Sequence, residues 1–245
     1  MFSKIVVFSG AGISAESGVS TFRDSDGLWE NHKIEDVCTY STWEKNYDLV
    51  HKFYDDRREQ LKTVFPNIAH SFVSYWQKKY LCLNITTNVD DLFERAGVVD
   101  TVHLHGYIPE VYDTKSSKKI HMGYERVYSL DGEMNDIVGN EVDLDNHLIK
   151  PNVVFFGEMA PKYGILYEAI KNIDHETIVI VVGASNVVID FLSLVENTKC
   201  KLFLIDPDPK ITSGYNLVDK EIIKLPATEG MIKVNSFIEK YMYED

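Results

Sequence analysis

Five consecutive β-branched residues, Ile178, Val179, Ile180, Val181 and Val182, run directly into Gly183. A strand with one wet face alternates apolar and polar residues. A run with no polar position marks a strand buried on both faces, as in a parallel sheet covered by helices. Similar short runs recur at residues 5–8, 81–85, 101–104, 153–156, 202–205 and 222–225. Between them lie segments with helical spacing: Leu49, Phe53 and Arg57, then Leu166, Ile170 and Ile173, then a tail from Ile232 through Phe237 to Tyr241. Strands alternating with helices predict an α/β fold built on a doubly wound parallel sheet. Residues 107–150 break the rhythm, being polar and lysine-rich at first and acidic with scattered Gly and Asn later. They predict a small inserted module.

The chain has 245 residues, and 25 Lys and Arg against 38 Asp and Glu give a net charge of −13. Phosphate backbones need clustered cations, so this balance excludes a nonspecific nucleic-acid binder but not a local basic pocket. The longest apolar runs are far too short to span a bilayer. Met1-Phe2-Ser3-Lys4 enters the first strand with no room for a signal peptide. Cys38, Cys82 and Cys200 are isolated, the pattern of a reducing compartment with no disulfide framework and no thiolate zinc site. A cytoplasmic protein with no membrane partner is expected.

The first strand ends in Ser9-Gly10-Ala11-Gly12-Ile13-Ser14-Ala15. Glycines at a strand-to-helix turn let the backbone approach a pyrophosphate, whose charge is met by a helix N-terminus. Ala15 stands where the usual third glycine would be, and a structural turn fits these residues equally well. Phe22 and Arg23 follow, and a guanidinium suits a diphosphate because it donates bidentately. Asn88, Val89, Asp90 and Asp91 end another strand, where α/β ligands bind. Asn88 and Asp90 are suited to a carboxamide or sugar hydroxyls, and equally to capping the next helix. In an extended segment 101–105, His103 and His105 would share one face. A histidine at a strand end beside glycine suits a general base, and the other of the pair reads as structural. With no cysteine partners, two histidines make no zinc site.

These pieces, in this order, resemble the sirtuin family of NAD-dependent protein deacylases. The matching blocks are Gly10-Ala11-Gly12-Ile13-Ser14 with Phe22-Arg23, Thr87-Asn88-Val89-Asp90, His103-Leu104-His105-Gly106, Val153-Val154-Phe155-Phe156-Gly157-Glu158 and Gly183-Ala184-Ser185. They span residues 4 to about 230. Asp26-Gly27-Leu28-Trp29-Glu30 and the stretch 53–61 are most similar to the bacterial CobB type. The resemblance implies a single catalytic domain over 1–245. Its Rossmann-like large part would comprise about 1–30, 80–106 and 151–245, and its small module about 31–79 (helical) and 107–150 (without zinc).

It further implies NAD as cofactor, held by Gly10, Ala11, Gly12, Ser14, Phe22 and Arg23, with Asn88 and Asp90 at the nicotinamide end. Gly183, Ser185, Asp206 and Ala227 would lie by the adenosine. His105, Asn88 and Asp90 would be catalytic. Val154, Gly157 and Glu158 would pair with the backbone of an acylated-lysine peptide. Tyr54 and Arg57 would select acidic acyl groups, since residues three apart share a helix face and could converge on one carboxylate. Without the resemblance, the same stretch reads as an exposed charged helix. The implied activity is a protein-lysine deacylase (desuccinylase, demalonylase or deacetylase) releasing nicotinamide and O-acyl-ADP-ribose. The alternatives are an NAD glycohydrolase or ADP-ribosyltransferase, or a non-catalytic binding module. A monomer is the default expectation.

Three departures stand out. Thr87 replaces a usual glutamine, which favours water as a competing nucleophile. The zinc-binding cysteines of the family have no counterpart in 107–150, so the module is expected to pack through Tyr107, Val111, Tyr112, Tyr124, Val127, Tyr128 and Leu130. Ala184 and Asp206 alter the adenosine side, and the added carboxylate predicts weaker binding of a dianionic cofactor.

Overall fold

The computed structural model describes residues 2–20, 28–29 (backbone only), 32–142, 148–209 and 215–242. In chain order the strands are β1 (Lys4–Ser9), β2 (Leu28–Trp29), β3 (His32–Lys33), β4 (Leu81–Thr86), β5 (Val102–His103), β6 (Gly106–Asp113), β7 (Lys119–His121), β8 (Ile149–Val153), β9 (Thr177–Val182), β10 (Lys201–Ile205) and β11 (Asp219–Ile223). The helices are α1 (Gly12–Ala15), α2 (Ile34–Val37), α3 (Tyr47–Leu61), α4 (Ile68–Lys79), α5 (Leu92–Arg95), α6 (Asp136–Gly139), α7 (Tyr163–Lys171), α8 (Phe191–Leu194) and α9 (Ala227–Tyr241).

Six strands form a parallel sheet in the order β11-β10-β9-β1-β4-β5. Side chains alternate across it, as the pleat requires. Ile5, Val7, Ile178, Ile180, Val182, Phe203 and Ile205 pack with Trp76 of α4 and with Met231, Val234 and Ile238 of α9. Val6, Phe8, Val179, Val181, Leu202 and Leu204 pack on the other face with Leu166 of α7 and Phe191 and Leu192 of α8. Every residue of β9 is buried, which is why that run carries no polar position. The fold is the expected Rossmann-like α/β architecture with helices on both faces. From β1 the chain proceeds to β4 on one side, whereas β9 leads to β10 on the other. The point between β1 and β9 is therefore a topological switch, where open α/β sheets leave a crevice at the carboxyl ends of their strands.

Several expected boundaries move. Residues 153–156 lie outside this sheet: β8 closes at Val153 and belongs to an antiparallel sheet ordered β7-β6-β8. Only Val102 and His103 of the run 101–104 pair with β4. Helix α4 falls within the stretch expected for the small module, yet Ala69, Val73 and Trp76 pack into the core of the large sheet. A capping box explains where α4 starts: Asn67 Oδ1 accepts from the Ala69 N–H, and the Asn67 N–H donates to His70 Nδ1.

The module formed by 107–150 is held by aliphatic packing rather than by the expected tyrosines. Val111, Ile120, Met122, Val127, Val138, Val142 and Ile149 form its core, with Tyr128 against it. Leu130 is 89% exposed, Tyr107 packs on His103, and Tyr124 joins the α3 cluster and donates to Asp91. A buried ion pair ties the module to α3. Arg58 Nη2 donates to Asp55 Oδ1 at 2.5 Å, and both side chains are essentially inaccessible. The remaining Arg58 donors reach the carbonyls of Glu125 (3.1 Å) and Ile108 (3.2 Å), while Asp55 accepts from the N–H groups of Val127 and Tyr128. Two opposite charges saturated in this way survive burial; one left alone does not. Arg58→Met, which strands the Asp55 carboxylate, is expected to cost about 3–5 kcal/mol in denaturant unfolding, and Asp55→Val/Arg58→Met considerably less. Equal losses in the single and double variants would contradict this account of the clasp.

Candidate active site

Gly10 follows β1, and Gly183 follows β9 with φ +58°, a left-handed conformation suited to glycine. The two turns touch backbone to backbone. A Cβ on Gly12 would lie 2.6 Å from Gly183 Cα, and one on Gly10 would lie 2.8 Å from the Gly183 carbonyl oxygen. Gly12 N–H donates to that oxygen at 2.9 Å. The glycine turn thus has a structural reason and also opens a cradle at the switch point.

That cradle is one end of a cavity of about 710 Å³, within the range of about 300–1,000 Å³ usual for small-molecule sites. Of the residues singled out in the sequence, Gly10, Ala11, Gly12, Asn88, Asp90, His105, Val154, Gly157, Glu158, Gly183, Ser185, Asp206, Ala227 and Arg57 line it. Phe22 and Arg23 lie outside the described residues. Ser14 and Tyr54 are fully buried and do not line the cavity.

Ser14 sits below the floor as a junction. Its Oγ donates to Asp90 Oδ2 (3.0 Å), accepts from Asn88 Nδ2 (3.1 Å) and lies 3.4 Å from His70 Nε2. The glycine turn and the Asn88–Asp90 loop are therefore fixed to each other through one hydroxyl. Asp90 also accepts the Leu92 N–H at Oδ1, at the start of α5, whose N-cap residue Asp91 makes no side-chain cap bond. Burial raises the Asp90 carboxyl above its usual range, against the pull of the Leu92 N–H and the Ser14 hydroxyl. His70, for which its cap position was the only sequence signal, was not anticipated. Burial lowers it from 6.5 to about 4, so it is neutral at pH 7.

The histidine pair separates because the chain turns at Leu104 and His105 instead of staying extended. His103 is buried and committed at both nitrogens: Nδ1 lies 2.7 Å from the Asn88 carbonyl and Nε2 lies 3.0 Å from Glu94 Oε1. His105 faces the cavity, with Nε2 3.2 Å from the Tyr163 hydroxyl. Burial lowers it below 6.5, leaving a neutral ring able to accept a proton.

Opposite the glycine cradle, Val153 to Glu158 form a strap. The Val154 N–H donates to the His105 carbonyl, and Phe156 exchanges bonds with Cys38 and Tyr40 in a parallel bridge to Thr39. The Glu158 carboxylate turns back to accept the Phe155 N–H and to pair with Lys150 Nζ at 2.9 Å. Lys150 is itself wholly buried beside the Phe155 ring. On α3, Arg57 and Gln60 line the cavity, whereas Tyr54 stacks on Phe155 behind the wall. Of the pair expected to meet a ligand carboxylate, Arg57 lines the cavity and Tyr54 does not.

The acids around the cavity are largely engaged with protein donors. Glu16 accepts from the N–H and hydroxyl of Thr228, and Asp206 from the Asp208 N–H, so Asp206 is not a bare charge beside a bound anion. Among the described residues, no group of three or more His, Cys, Asp and Glu side chains could hold a metal ion. Nor, among the described residues, is any helix long and apolar enough to cross a membrane.

The Sir2 family model matches residues 10–190, which contain the glycine turn, the Asn88–Asp90 loop, His105 and the strap. The chain belongs to the Sir2 family. A Helicobacter hepaticus relative named NAD-dependent protein deacylase is 37% identical over 97% of this chain and 98% of its own. Another of that name from Aggregatibacter actinomycetemcomitans is 40% identical over 87% of this chain and 96% of its own. A solved Sir2 homologue–NAD complex superposes with a TM-score of 0.78 at 32% identity, covering 97% of this chain and 90% of that one. A Sir2 homologue mutant–ADP ribose complex gives 0.81 at 29% identity, covering 97% and 92%.

His70 beneath this Sir2 site, and His51 buried against the Ile149 carbonyl, are both lowered from 6.5 to about 4. The unfolded chain therefore binds up to two more protons than the folded one as pH falls from 6.5 towards 4. Their contribution to stability is present above pH 6.5 and lost through that window. Stability measured by urea unfolding should decline over that range, and His51→Gln/His70→Gln should flatten the decline. An unchanged slope in the double variant would refute this origin.

Proposed function

We propose that this Sir2-family protein is an NAD-dependent protein-lysine deacylase, with acidic acyl groups such as succinyl and malonyl among its substrates. The observation that carries the reading is the convergence of the glycine cradle, Asn88, Asp90 and His105 on one cavity. The residues present suit the cofactor. Glycines 10, 12 and 183 leave room where any Cβ would collide with backbone, and Ala227 brings the first turn of the 15-residue α9 to the cavity wall. NAD, when bound, supplies a ribose carbon bearing nicotinamide as leaving group.

The protein's own part is binding, orientation and proton handling. Gly10, Ala11 and Gly12 hold the diphosphate; Gly183, Ser185, Asp206 and Ala227 hold the adenosine side. Asn88 and Asp90, set by Ser14, orient the nicotinamide end. An amide oxygen is a weak nucleophile, so much of the rate must come from holding it in line and excluding water. The strap of Val154, Gly157 and Glu158 supports that alignment by lining the cavity where an acylated-lysine peptide would lie. His105, neutral in its buried setting, takes up a sugar-hydroxyl proton on its imidazole. Arg57 reaches the cavity from α3 and supplies the charge that an acidic acyl chain needs.

Nicotinamide release from NAD should depend on an acylated peptide, and His105→Tyr should abolish it. Peptide-independent release at the same rate would instead favour an NAD glycohydrolase, the reading that Thr87 at the cavity wall motivates. Arg57→Met should lower kcat/KM about tenfold or more for a succinyl-lysine peptide, and far less for the acetyl-lysine one. Equal losses would remove Arg57 from acyl recognition.

A further inference from the structure

His105 is held from two sides by one stretch of chain. Its carbonyl accepts from the Val154 N–H at 2.8 Å, and its ring nitrogen Nε2 lies 3.2 Å from the hydroxyl of Tyr163, the first residue of α7. The Tyr163 ring packs against the hydrophobic cluster that includes Leu104 and Leu166, while its hydroxyl end reaches the cavity. Ring and hydroxyl therefore have separable tasks: the ring is anchored in the core, and the hydroxyl meets the base.

We propose that Tyr163 is the positioning residue of the general base, its hydroxyl holding the His105 ring in its working orientation and accepting from Nε2–H once the ring is charged. The proposal rests on the deacylase reading for its kinetic consequence but not for the hydrogen bond itself. A hydroxyl suits this place because it both donates and accepts. It can donate to Nε2 of a neutral imidazole, and it can accept from the same nitrogen when the ring becomes imidazolium. The second bond is charge-assisted and the stronger of the two, so the net effect of the hydroxyl is to favour the protonated ring. That opposes burial, which disfavours the imidazolium.

The other titratable groups around the ring are already engaged. His103 on β5 is bonded to Asn88 and to Glu94 of α5. Asp90 on the β4–α5 loop is bonded to Ser14 and Leu92, and Glu158 on the strap to Lys150 and Phe155. Burial lowers the His105 ring below its usual value, and the Tyr163 hydroxyl lies within hydrogen-bond reach of it. The strap expected to seat the peptide leads directly into Tyr163, so the residue that holds the base follows the segment that holds the substrate.

Tyr163→Phe removes one oxygen and keeps the packed ring. In the full-length protein without ligands, NMR titration of the His105 ring should show its midpoint moving to lower pH in the Phe variant. With NAD and acyl-peptide, kcat should fall about three- to tenfold, the scale of one lost hydrogen bond. The acid limb of the pH profile should move down with it, while KM for the peptide changes less than twofold. Tyr167→Phe, one turn further along α7 and half exposed, should leave all four readouts unchanged. An unchanged His105 titration in Tyr163→Phe overturns the proposal, as does a loss of kcat with no change in the pH profile, which would mean simple packing. If the wild type shows no peptide-dependent turnover, the deacylase reading fails, and the NMR titration still decides the role of Tyr163.

Discussion

The close approach of the β1 and β9 turns is the constraint on which the site depends. Two strands whose connections leave in opposite directions must part at their carboxyl ends, and here they do so with backbone against backbone. Gly12 and Gly183 meet at a distance that admits no side chain on either. This contact sets the start of α1, which in turn fixes where Ser14 points. Ser14 ties Asn88 and Asp90 into place, and these define the middle of the cavity. Had either turn carried a Cβ, the strands would spread, the hydroxyl would leave its three polar neighbours, and buried polar groups would go unsatisfied at a cost of about 1–3 kcal/mol each.

The opposite wall is built by different means. Helix α3 points Asp55 and Arg58 inward, into the clasp on the small module, and Arg57 and Gln60 towards the cavity. One helix thus serves both as a strut for the module and as a wall of the cavity. The module's own core is small and aliphatic, so its register against α3 relies on the directional bonds of that ion pair. A second buried pair, Lys150 with Glu158, does the same for the strap. Both pairs confer position more than stability, since apolar residues of equal volume would pack there as well.

The large sheet was legible because a parallel sheet covered on both faces leaves continuous apolar runs, and 178–182, 5–8 and 202–205 all carry that mark. Its edge was not: β5 keeps only Val102 and His103 in pairing, and β11 begins in charged residues, since edge strands bury one side only. The glycine turn, Asn88, Asp90 and His105 were legible as ordered motifs at strand ends. Tyr54 shows the limit of helical spacing. Residues three apart do share a face, but the spacing says nothing of depth, and Phe155 claims the Tyr54 ring for the core. Tyr163 and His70 carried no motif weight of their own. Their significance comes from contacts with residues far away in sequence, His105 and Ser14, which only the folded chain supplies.

The fates of His103 and His105 give the general principle its sharpest form. They differ by two positions, belong to one short segment, and carry the same side chain. What separates them is hydrogen-bond accounting. His103 spends Nδ1 on the Asn88 carbonyl and Nε2 on Glu94, so both ring nitrogens are engaged by the protein and the residue serves to hold the Asn88 loop in place. The His105 ring meets the Tyr163 hydroxyl through Nε2, a partner that can reverse its role, and lines the cavity. A fully satisfied polar group is a structural element, and a partly satisfied one at a cavity wall is a reagent. The same distinction sorts the carboxylates. Glu16 and Glu158 are spent on donors of the scaffold, and Asp90 is half spent on the Leu92 N–H of α5. A chain with a net charge of −13 can therefore line a cavity with acids and still present it to an anion, because the protein has already bonded most of those acids to its own N–H groups, hydroxyls and buried ammonium.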